Sequence, residues 1–327
     1  MTCVHESPNV YQIRLPIDNE FAQPTNCFAV LDGGEALLVD VGAATERGLR
    51  FLNGALDELG VNRSRLTVAL THLHLDHSGL ADRILPPGEP VLAGARSATV
   101  CDSDLLAAWR HRLESAFLRE GATEADVACL GEPFYSSFAV PKSRPICFLS
   151  EEKRVTVGRY AFEVIETPGH TQGHIALFEP RSHLLISGDM LLFNTTSSVE
   201  YSADGTDDLQ LYLDSLAKIR ALECEIVLVA HGSSDGDCLA RIDWLTKHNG
   251  EIADRMEHEV RLGQHLQGVD LVKRVYWPYG EEAWGELRPV RKLYILFKGF
   301  AVINHLAATG RIERIEGSRG TWKYRAR

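Results

Sequence analysis

The sequence lacks paired cysteines, long apolar runs and a basic leader, and each absence excludes a class of protein. Seven cysteines stand singly with no Cys-x-x-Cys pair, so we expect reduced thiols rather than a disulfide framework. None neighbours a histidine cluster, so thiolate ligation of a metal is not expected. No stretch approaches the roughly 18 apolar residues of a membrane span, and the first residues do not resemble a signal peptide. We therefore expect a cytoplasmic protein without a membrane partner.

Basic residues are also scarce over most of the chain. The net charge of −11 at pH 7 argues against a protein that coats nucleic acid. Residues 271–327 are the exception, because they hold 12 Lys/Arg against 5 Asp/Glu. The length of 327 residues suits one large domain with an appendage, or two domains. The charge asymmetry thus separates the C-terminal part from an acidic body.

The segment 71–79, Thr-His-Leu-His-Leu-Asp-His-Ser-Gly, places three imidazoles and one carboxylate within six positions. The apolar run 66–70 before it predicts a buried strand, and a helical pattern follows. The first two histidines are two positions apart, so extended backbone projects them to one side. Such ligands suit zinc, iron or manganese. The candidate ligands here are His72, His74, Asp76 and His77.

Three further predicted strands, 160–165, 184–187 and 225–230, also lead into a histidine or an aspartate. Functional groups gather at strand ends in layered α/β folds. The residues they deliver are His170, Asp189 and His231. Seven ligands are too many for one tetrahedral zinc, and suit two metals about 3.5 Å apart with a carboxylate and a hydroxide between them.

The region 96–150 interrupts the alternation of strands and helices. Its pattern predicts a helix over 97–120, a second over 124–130 and an irregular loop rich in aromatic residues and proline. A long insert near a catalytic edge favours a lid over a pocket. A packing excursion or a dimer contact is the alternative. Further along, 236–262 reads as helical, with Asn249-Gly250 predicting a break or a bend.

These seven residues resemble the motifs of the metallo-β-lactamase-fold hydrolase superfamily. The order and spacing match over about 10–235. The resemblance implies an α/β fold, a four-layer αββα sandwich with two metals at one edge of its sheets. It assigns the first metal to His72, His74 and His170. It assigns the second to Asp76, His77 and His231, with Asp189 bridging.

The resemblance also gives Asp40 a role. Asp40 matches the strand-end acid that family members use to hydrogen-bond a metal histidine, and such contacts orient ligands. The alternative is that Asp40 caps a helix or closes a turn. By contrast, His174 opens a strand, and we interpret it as an orienting hydrogen-bond partner rather than a ligand.

Departures from the family patterns narrow the choice of relatives. Ser187-Gly188-Asp189 has no thiol, which excludes zinc β-lactamases with a cysteine ligand, and His74 separates the chain from flavodiiron proteins. No tyrosine follows Asp189 closely, which weakens the acylhomoserine lactonase interpretation. Two closer resemblances remain, and one is to glyoxalase II (hydroxyacylglutathione hydrolase). The chain also resembles β-lactamase-like proteins with a C-terminal winged helix.

The chemistry implied is hydrolysis of a small-molecule thioester or ester. A metal-bridging hydroxide attacks the carbonyl, and a thiolate leaves without a strong general acid. Asp76 is the candidate catalytic residue, since an acid beside the hydroxide could assist proton transfer. The cofactors expected are two divalent ions, zinc first, with iron or manganese as alternatives. A mononuclear iron oxygenase is a third class, which the complete second site argues against.

The implied domains are a catalytic domain over 1–240, with its helical insert, and a smaller helical domain over 241–327. A helix over 291–306 and two strands over 311–317 and 320–325 resemble a winged helix. Nucleic-acid binding through the basic tail, Trp322 and Tyr324 would make the protein an endoribonuclease acting on single-stranded RNA. The favoured alternative is a domain that caps the site or forms a homodimer, because the body is acidic.

Overall fold

The computed structural model describes residues 1–16, 24–128, 130, 138–263, 265–277 and 280–327. These form two compact units. The first unit comprises Met1–Cys101, Ser137–Ser197 and Ser215–Ile242. The second unit comprises Asp102–Ser136, Ser198–Asp214 and Asp243–Arg327. The predicted insert is therefore shared between the units, and its proposed role as a lid stays a prediction.

Two sheets form the centre of the first unit. The described strands of the larger sheet lie in the order β1 to β7, with antiparallel pairing from β1 to β4 and parallel pairing from β4 to β7. They are β1 Thr2–Glu6, β2 Asn9–Leu15, β3 Thr25–Asp32, β4 Glu35–Val39, β5 Leu66–Leu70, β6 Val91–Gly94 and β7 Ile146–Leu149. The smaller sheet has the order β12-β11-β10-β9-β8. Its strands are β8 Arg154–Val157, β9 Tyr160–Glu166, β10 Ile175–Glu179, β11 Leu184–Gly188 and β12 Ile226–Val229.

Side chains that alternate along the strands pack the two sheets against each other. One buried cluster joins Val30 and Leu37 of the larger sheet to Phe162 and Leu177 of the smaller one. The opposite face of the larger sheet packs on the helix Glu46–Glu58 and its neighbours. That helix begins at Thr45, whose side chain accepts a hydrogen bond from the Gly48 amide. The α/β sandwich predicted from the sequence is thus confirmed.

The described helices differ from the sequence prediction at two places, and the helices Gly268–Tyr276 and Gly280–Glu286 were not predicted. The predicted helix over 97–120 is interrupted at Asp102, which caps a separate helix from Ser103 to Arg119. The predicted break at 249–250 is wrong, since one helix runs without interruption through Cys238–Leu262. Strands β1 and β7 were not predicted. The other helices are Leu75–Ser78, Ala81–Ile84, Ala98–Cys101, Glu124–Ala128, Asp208–Ala221, Gly268–Tyr276, Gly280–Glu286 and Pro289–Ala308, with 3-10 turns at Arg63–Arg65, Ala95–Ser97 and Ser318–Gly320. Most of the predicted aromatic loop falls on residues 131–137, outside the described residues.

The second unit is built around an aromatic cluster and one buried acid. Phe117 contacts Phe300 with ring centres 4.9 Å apart, and Tyr201 lies 5.6 Å from the same ring. The Glu120 carboxylate is fully buried and accepts a hydrogen bond from the Tyr324 hydroxyl at 2.7 Å. These contacts anchor the C-terminal hairpin to the helices of its own unit.

The hairpin consists of β13 Ile312–Glu316 and β14 Trp322–Ala326, close to the predicted bounds. Tyr324 is fully buried, so the nucleic-acid interpretation loses that residue. The guanidinium groups of Arg119 and Arg314 lie over the Trp322 ring, 4.4 and 4.2 Å from its centre. The winged-helix interpretation stays a prediction. None of the helices in the described part of the chain is long and apolar enough to cross a membrane.

Candidate metal centre

The candidate ligands all lie in the first unit, where strand ends and one loop position them. His72 follows the carboxyl end of β5, which pairs in parallel with β4 and β6. Asp189 and His231 follow β11 and β12, which are parallel neighbours. Carboxyl ends of parallel strands meet at one edge of a sheet. His170 comes from the loop that joins the antiparallel strands β9 and β10.

The loop after β5 is held in a compact form by backbone contacts. The amide of His77 donates to the carbonyl of His74 at 2.9 Å as the short helix Leu75–Ser78 begins. The Ala139 amide donates to the Leu73 carbonyl at 2.9 Å. The loop is therefore tied to residue 139.

Three imidazoles form a first triad, which we define as His72, His74 and His170. Nε2 of His72 lies 2.9 Å from Nδ1 of His74, and Nε2 of His170 lies 3.3 and 3.2 Å from those two atoms. A neutral imidazole has one donor and one acceptor nitrogen, so three facing nitrogens cannot all be satisfied by one another. Three converging nitrogens fit a metal ion of the zinc type.

A second triad is formed by Asp76, His77 and His231. Nε2 of His77 lies 3.3 Å from Nε2 of His231. Oδ2 of Asp76 is 3.4 Å from Nε2 of His231 and 3.9 Å from Nε2 of His77. One carboxylate and two imidazoles again fit a divalent ion. The structure thus brings together the residues that the resemblance assigns to the second metal, and their role as ligands stays a prediction.

Asp189 lies between the two triads. Its Oδ2 is 3.6 Å from Nε2 of His170 in the first triad. Its Oδ1 is 3.6 Å from Nε2 of His77 and 3.4 Å from Nε2 of His231 in the second. Oδ1 is buried and has no hydrogen-bond partner among the described residues. A buried carboxylate oxygen without a partner is costly, and a cation at this position would satisfy it.

Asp40 orients a ligand from each triad. Its Oδ2 accepts hydrogen bonds from Nδ1 of His77 and from Oγ1 of Thr71, each at 2.8 Å. Oγ1 of Thr71 lies 3.0 Å from Nδ1 of His72. Asp40 also accepts the Thr71 amide at 2.8 Å. The predicted contact to a histidine is present, and the helix-cap alternative is wrong because Thr45 caps the helix that follows.

Further polar contacts hold the other ligands, and two of them come from residues that the sequence did not reveal. Oγ of Ser197 lies 2.9 Å from Nδ1 of His170. Nδ2 of Asn26 donates to the carbonyls of residues 229 and 232, at 2.9 and 3.0 Å, on either side of His231. Neither residue belongs to a motif or a period that would reveal it. His174, by contrast, accepts the Asp189 amide through Nε2 at 3.1 Å, in keeping with its predicted orienting role.

Electrostatics differ between the triads. Burial holds the pKa of His72 well below its ordinary value, and burial with the neighbouring His170 lowers the pKa of His74 to about 3. Burial also acts to lower the pKa of His77, but the carboxylates of Asp40, Asp189 and Asp76 raise it to about 10. His72 and His74 therefore present neutral imidazoles, which is the form that binds a metal.

The chain matches a known protein family. Residues 21–231 match the family model described as the metallo-beta-lactamase superfamily, which is well over half of the chain. The chain belongs to this superfamily. Membership supports a metal-dependent hydrolase, and its His/Asp clusters suggest divalent metals.

Individual proteins of the superfamily are also similar to this chain. The chain is 27% identical over 230 residues to the probable metallo-hydrolase YqjP of Bacillus subtilis, covering 68% of this chain and 72% of that protein. It is 23% identical over 261 residues to an atrochrysone carboxyl ACP thioesterase of Aspergillus terreus, covering 80% and 64%. A beta-lactamase domain protein from Burkholderia ambifaria superposes with a TM-score of 0.80 at 23% identity, covering 97% of this chain and 92% of that one. The structural likeness establishes the fold.

Proposed function

We propose that the protein is a two-metal hydrolase that cleaves a thioester or ester bond in a small molecule. The observation that carries the proposal is the position of Asp189. One carboxylate oxygen lies 3.6 Å from His170 of the first triad, and the other lies 3.4 Å from His231 of the second. One metal would need only one triad, whereas a carboxylate facing both triads supports a pair of ions.

The chain supplies the holder for both ions. The first triad would hold one ion, the second triad would hold the other, and Asp189 would contact both. When bound, two divalent ions polarise a carbonyl oxygen and lower the pKa of water enough to supply hydroxide near pH 7. Zinc is the metal we propose first, with iron or manganese as alternatives, since all three accept nitrogen and oxygen ligands.

Asp76 is the residue that we propose to assist proton transfer. Its side chain is 33% exposed, whereas that of His77 beside it is fully buried. A group that exchanges a proton with substrate or water needs such access. The carboxylate would accept a proton as the carbonyl is attacked and return it later in the cycle. This role is additional to its place in the second triad.

A thioester is the favoured substrate class for a chemical reason. A thiolate is a good leaving group, so the reaction does not require a strong general acid. The similarity to a protein named an ACP thioesterase supports the same class. Activity of the hydroxyacylglutathione hydrolase type is the narrower proposal within it.

We further propose a cytoplasmic enzyme with a catalytic domain over 1–240 and a C-terminal domain over 241–327 that caps the site or forms a homodimer.

The test is turnover by protein stripped of metal and then reloaded with zinc, manganese or ferrous iron. A hydroxyacyl-glutathione thioester, an acyl-pantetheine thioester and an oxoester of the same acid would be assayed in parallel. We expect thioester cleavage to return with the metal, and Asp189→Ala protein to stay inactive. A wild-type protein that holds two ions and cleaves neither thioesters nor esters would overturn the proposal.

The endoribonuclease alternative is tested in the same preparation. Its support rests on the basic balance of 271–327, since Tyr324 is buried and two guanidinium groups lie over the Trp322 ring. Binding of single-stranded RNA that weakens steeply with salt, together with metal-dependent cleavage, would favour it. Absence of binding at low salt would end it.

A further inference from the structure

His170 differs from His72 in how its ring is held. His72 has its partner Thr71 next to it in sequence, and Thr71 in turn contacts Asp40. His170 lies in the loop between β9 and β10, and the side chain at its Nδ1 comes from Ser197, 27 residues further along the chain. Both His170 and Ser197 are buried, with 5% and 7% of their surface exposed. The contact therefore joins two loops at the metal centre.

The two nitrogens of the His170 ring have separate tasks. Nε2 is turned toward the first triad, 3.3 Å from His72 and 3.2 Å from His74. Nδ1 is 2.9 Å from Oγ of Ser197. If Nε2 offers its lone pair to a metal, a neutral ring must carry its proton on Nδ1. The serine oxygen is then the acceptor of that proton.

We propose that Ser197 is a positioning residue for His170, which it holds in the Nδ1–H tautomer with Nε2 aimed at the first triad. The proposal rests on the two-metal function proposed above. Partners at the outer nitrogen of a metal-bound histidine fix its ring and strengthen it as a ligand. Ser197 follows Asp189 in the same irregular stretch of chain. One loop thus supplies both the carboxylate between the triads and the hydroxyl that orients His170.

The chain offers a matched control in Ser215. It is also a buried serine, and its hydroxyl donates to the carbonyl of Pro168 at 2.8 Å. Pro168 is two residues from His170 in the same loop. Ser215→Ala therefore removes a buried hydroxyl that steadies this loop through its backbone and leaves the contact at Nδ1 in place. Comparing the two alanine variants separates support of the ring from support of the loop.

The experiment measures stepwise cobalt and zinc affinity of the metal-free full-length protein by competition with a chromophoric chelator. We expect Ser197→Ala to weaken one of two binding steps by about 10- to 100-fold, and Ser215→Ala to change neither step by more than about 3-fold. Ser197→Thr, which keeps the oxygen, should recover most of the affinity. Thermal unfolding of each metal-free variant establishes that it is folded.

A second readout is the proton on Nδ1 of His170. In zinc-loaded wild-type protein, nitrogen-15 NMR should give the Nδ1–H tautomer with a slowly exchanging proton, and exchange should quicken in Ser197→Ala. Wild-type affinity and exchange in Ser197→Ala, or equal weakening in both alanine variants, would overturn the proposal while two-metal binding stands. A wild-type protein that binds no divalent ion would instead overturn the proposed function and this inference together.

Discussion

Oδ2 of Asp40 lies 2.8 Å from Nδ1 of His77, and both side chains are buried. The same oxygen accepts the Thr71 hydroxyl, whose oxygen contacts His72. One carboxylate thus reaches a ligand of the second triad directly and a ligand of the first through one hydroxyl. The two candidate metal positions therefore share a single orienting acid.

Replacing Asp40 with asparagine should weaken both metal-binding steps. Asparagine keeps the size of the side chain. Its NH₂ group, however, would face the N–H and O–H groups from which Asp40 now accepts hydrogen bonds. We expect each step to lose about 10- to 100-fold in affinity, measured by chelator competition. Asp32→Asn is the control. Asp32 is not a candidate ligand; it lies at the end of β3 and accepts a hydrogen bond from the Arg159 amide. Weakening of only one step would contradict a shared role.

Asp189→Ala should reduce the metal content from two ions per chain to at most one. The substitution removes the only side chain whose two oxygens face different triads among the described contacts. A bound metal supplies several kcal/mol of transition-state stabilisation, so kcat should fall on the order of 100-fold or more. Metal content by mass spectrometry and thioester turnover check the result. Asp235→Ala, an exposed acid beyond β12, should behave as wild type.

Gly94→Ala should displace the backbone of the loop that carries His170. A Cβ at Gly94 would lie 2.3 Å from the carbonyl oxygen of Gly173, so the backbone of that loop must shift. Overpacking of this kind costs about 1–3 kcal/mol in the free energy of unfolding. Urea unfolding measures the cost, and metal titration should give weaker binding at one step.

Gly54→Ala is the matched control for that substitution. Gly54 lies in the helix Glu46–Glu58, and a Cβ there would meet nothing within 4 Å. Alanine should stabilise the helix by up to about 1 kcal/mol, with metal affinity unchanged. If the two variants were equally stable and bound metal equally well, the packing argument at Gly94 would be wrong.

That the candidate ligands meet at one place could be predicted from sequence, because most follow a short apolar strand and parallel strand ends converge. Ser197 could not, since it lies in an irregular stretch and meets His170 only through the tertiary fold. The break at 249–250 was wrong because glycine costs a helix only about 1 kcal/mol, which the 25-residue helix Cys238–Leu262 tolerates. Strand β7 was missed because Ile146–Leu149 is short and directly follows a proline-rich segment.

Glu120 should make the free energy of unfolding depend on pH in a defined direction. Burial raises the pKa of this carboxyl to about 7, although Arg314, the Tyr324 hydroxyl and Arg119 act to lower it. The folded state therefore holds a proton that the unfolded state releases near pH 4.5. The stability that this carboxyl contributes is present below pH 4.5 and is lost as pH rises toward 7.

Glu120→Gln should remove that loss. The free energy of unfolding of the variant minus that of wild type should increase by up to about 3 kcal/mol between pH 4.5 and 7, and level off above pH 8. Urea unfolding of the metal-free proteins at each pH gives the difference. Glu114→Gln, at a half-exposed carboxyl of the preceding helix Ser103–Arg119, should stay within about 0.5 kcal/mol of wild type throughout. A flat difference for Glu120→Gln would mean that Glu120 is charged in the folded protein at every pH tested, with Arg314 neutralising it.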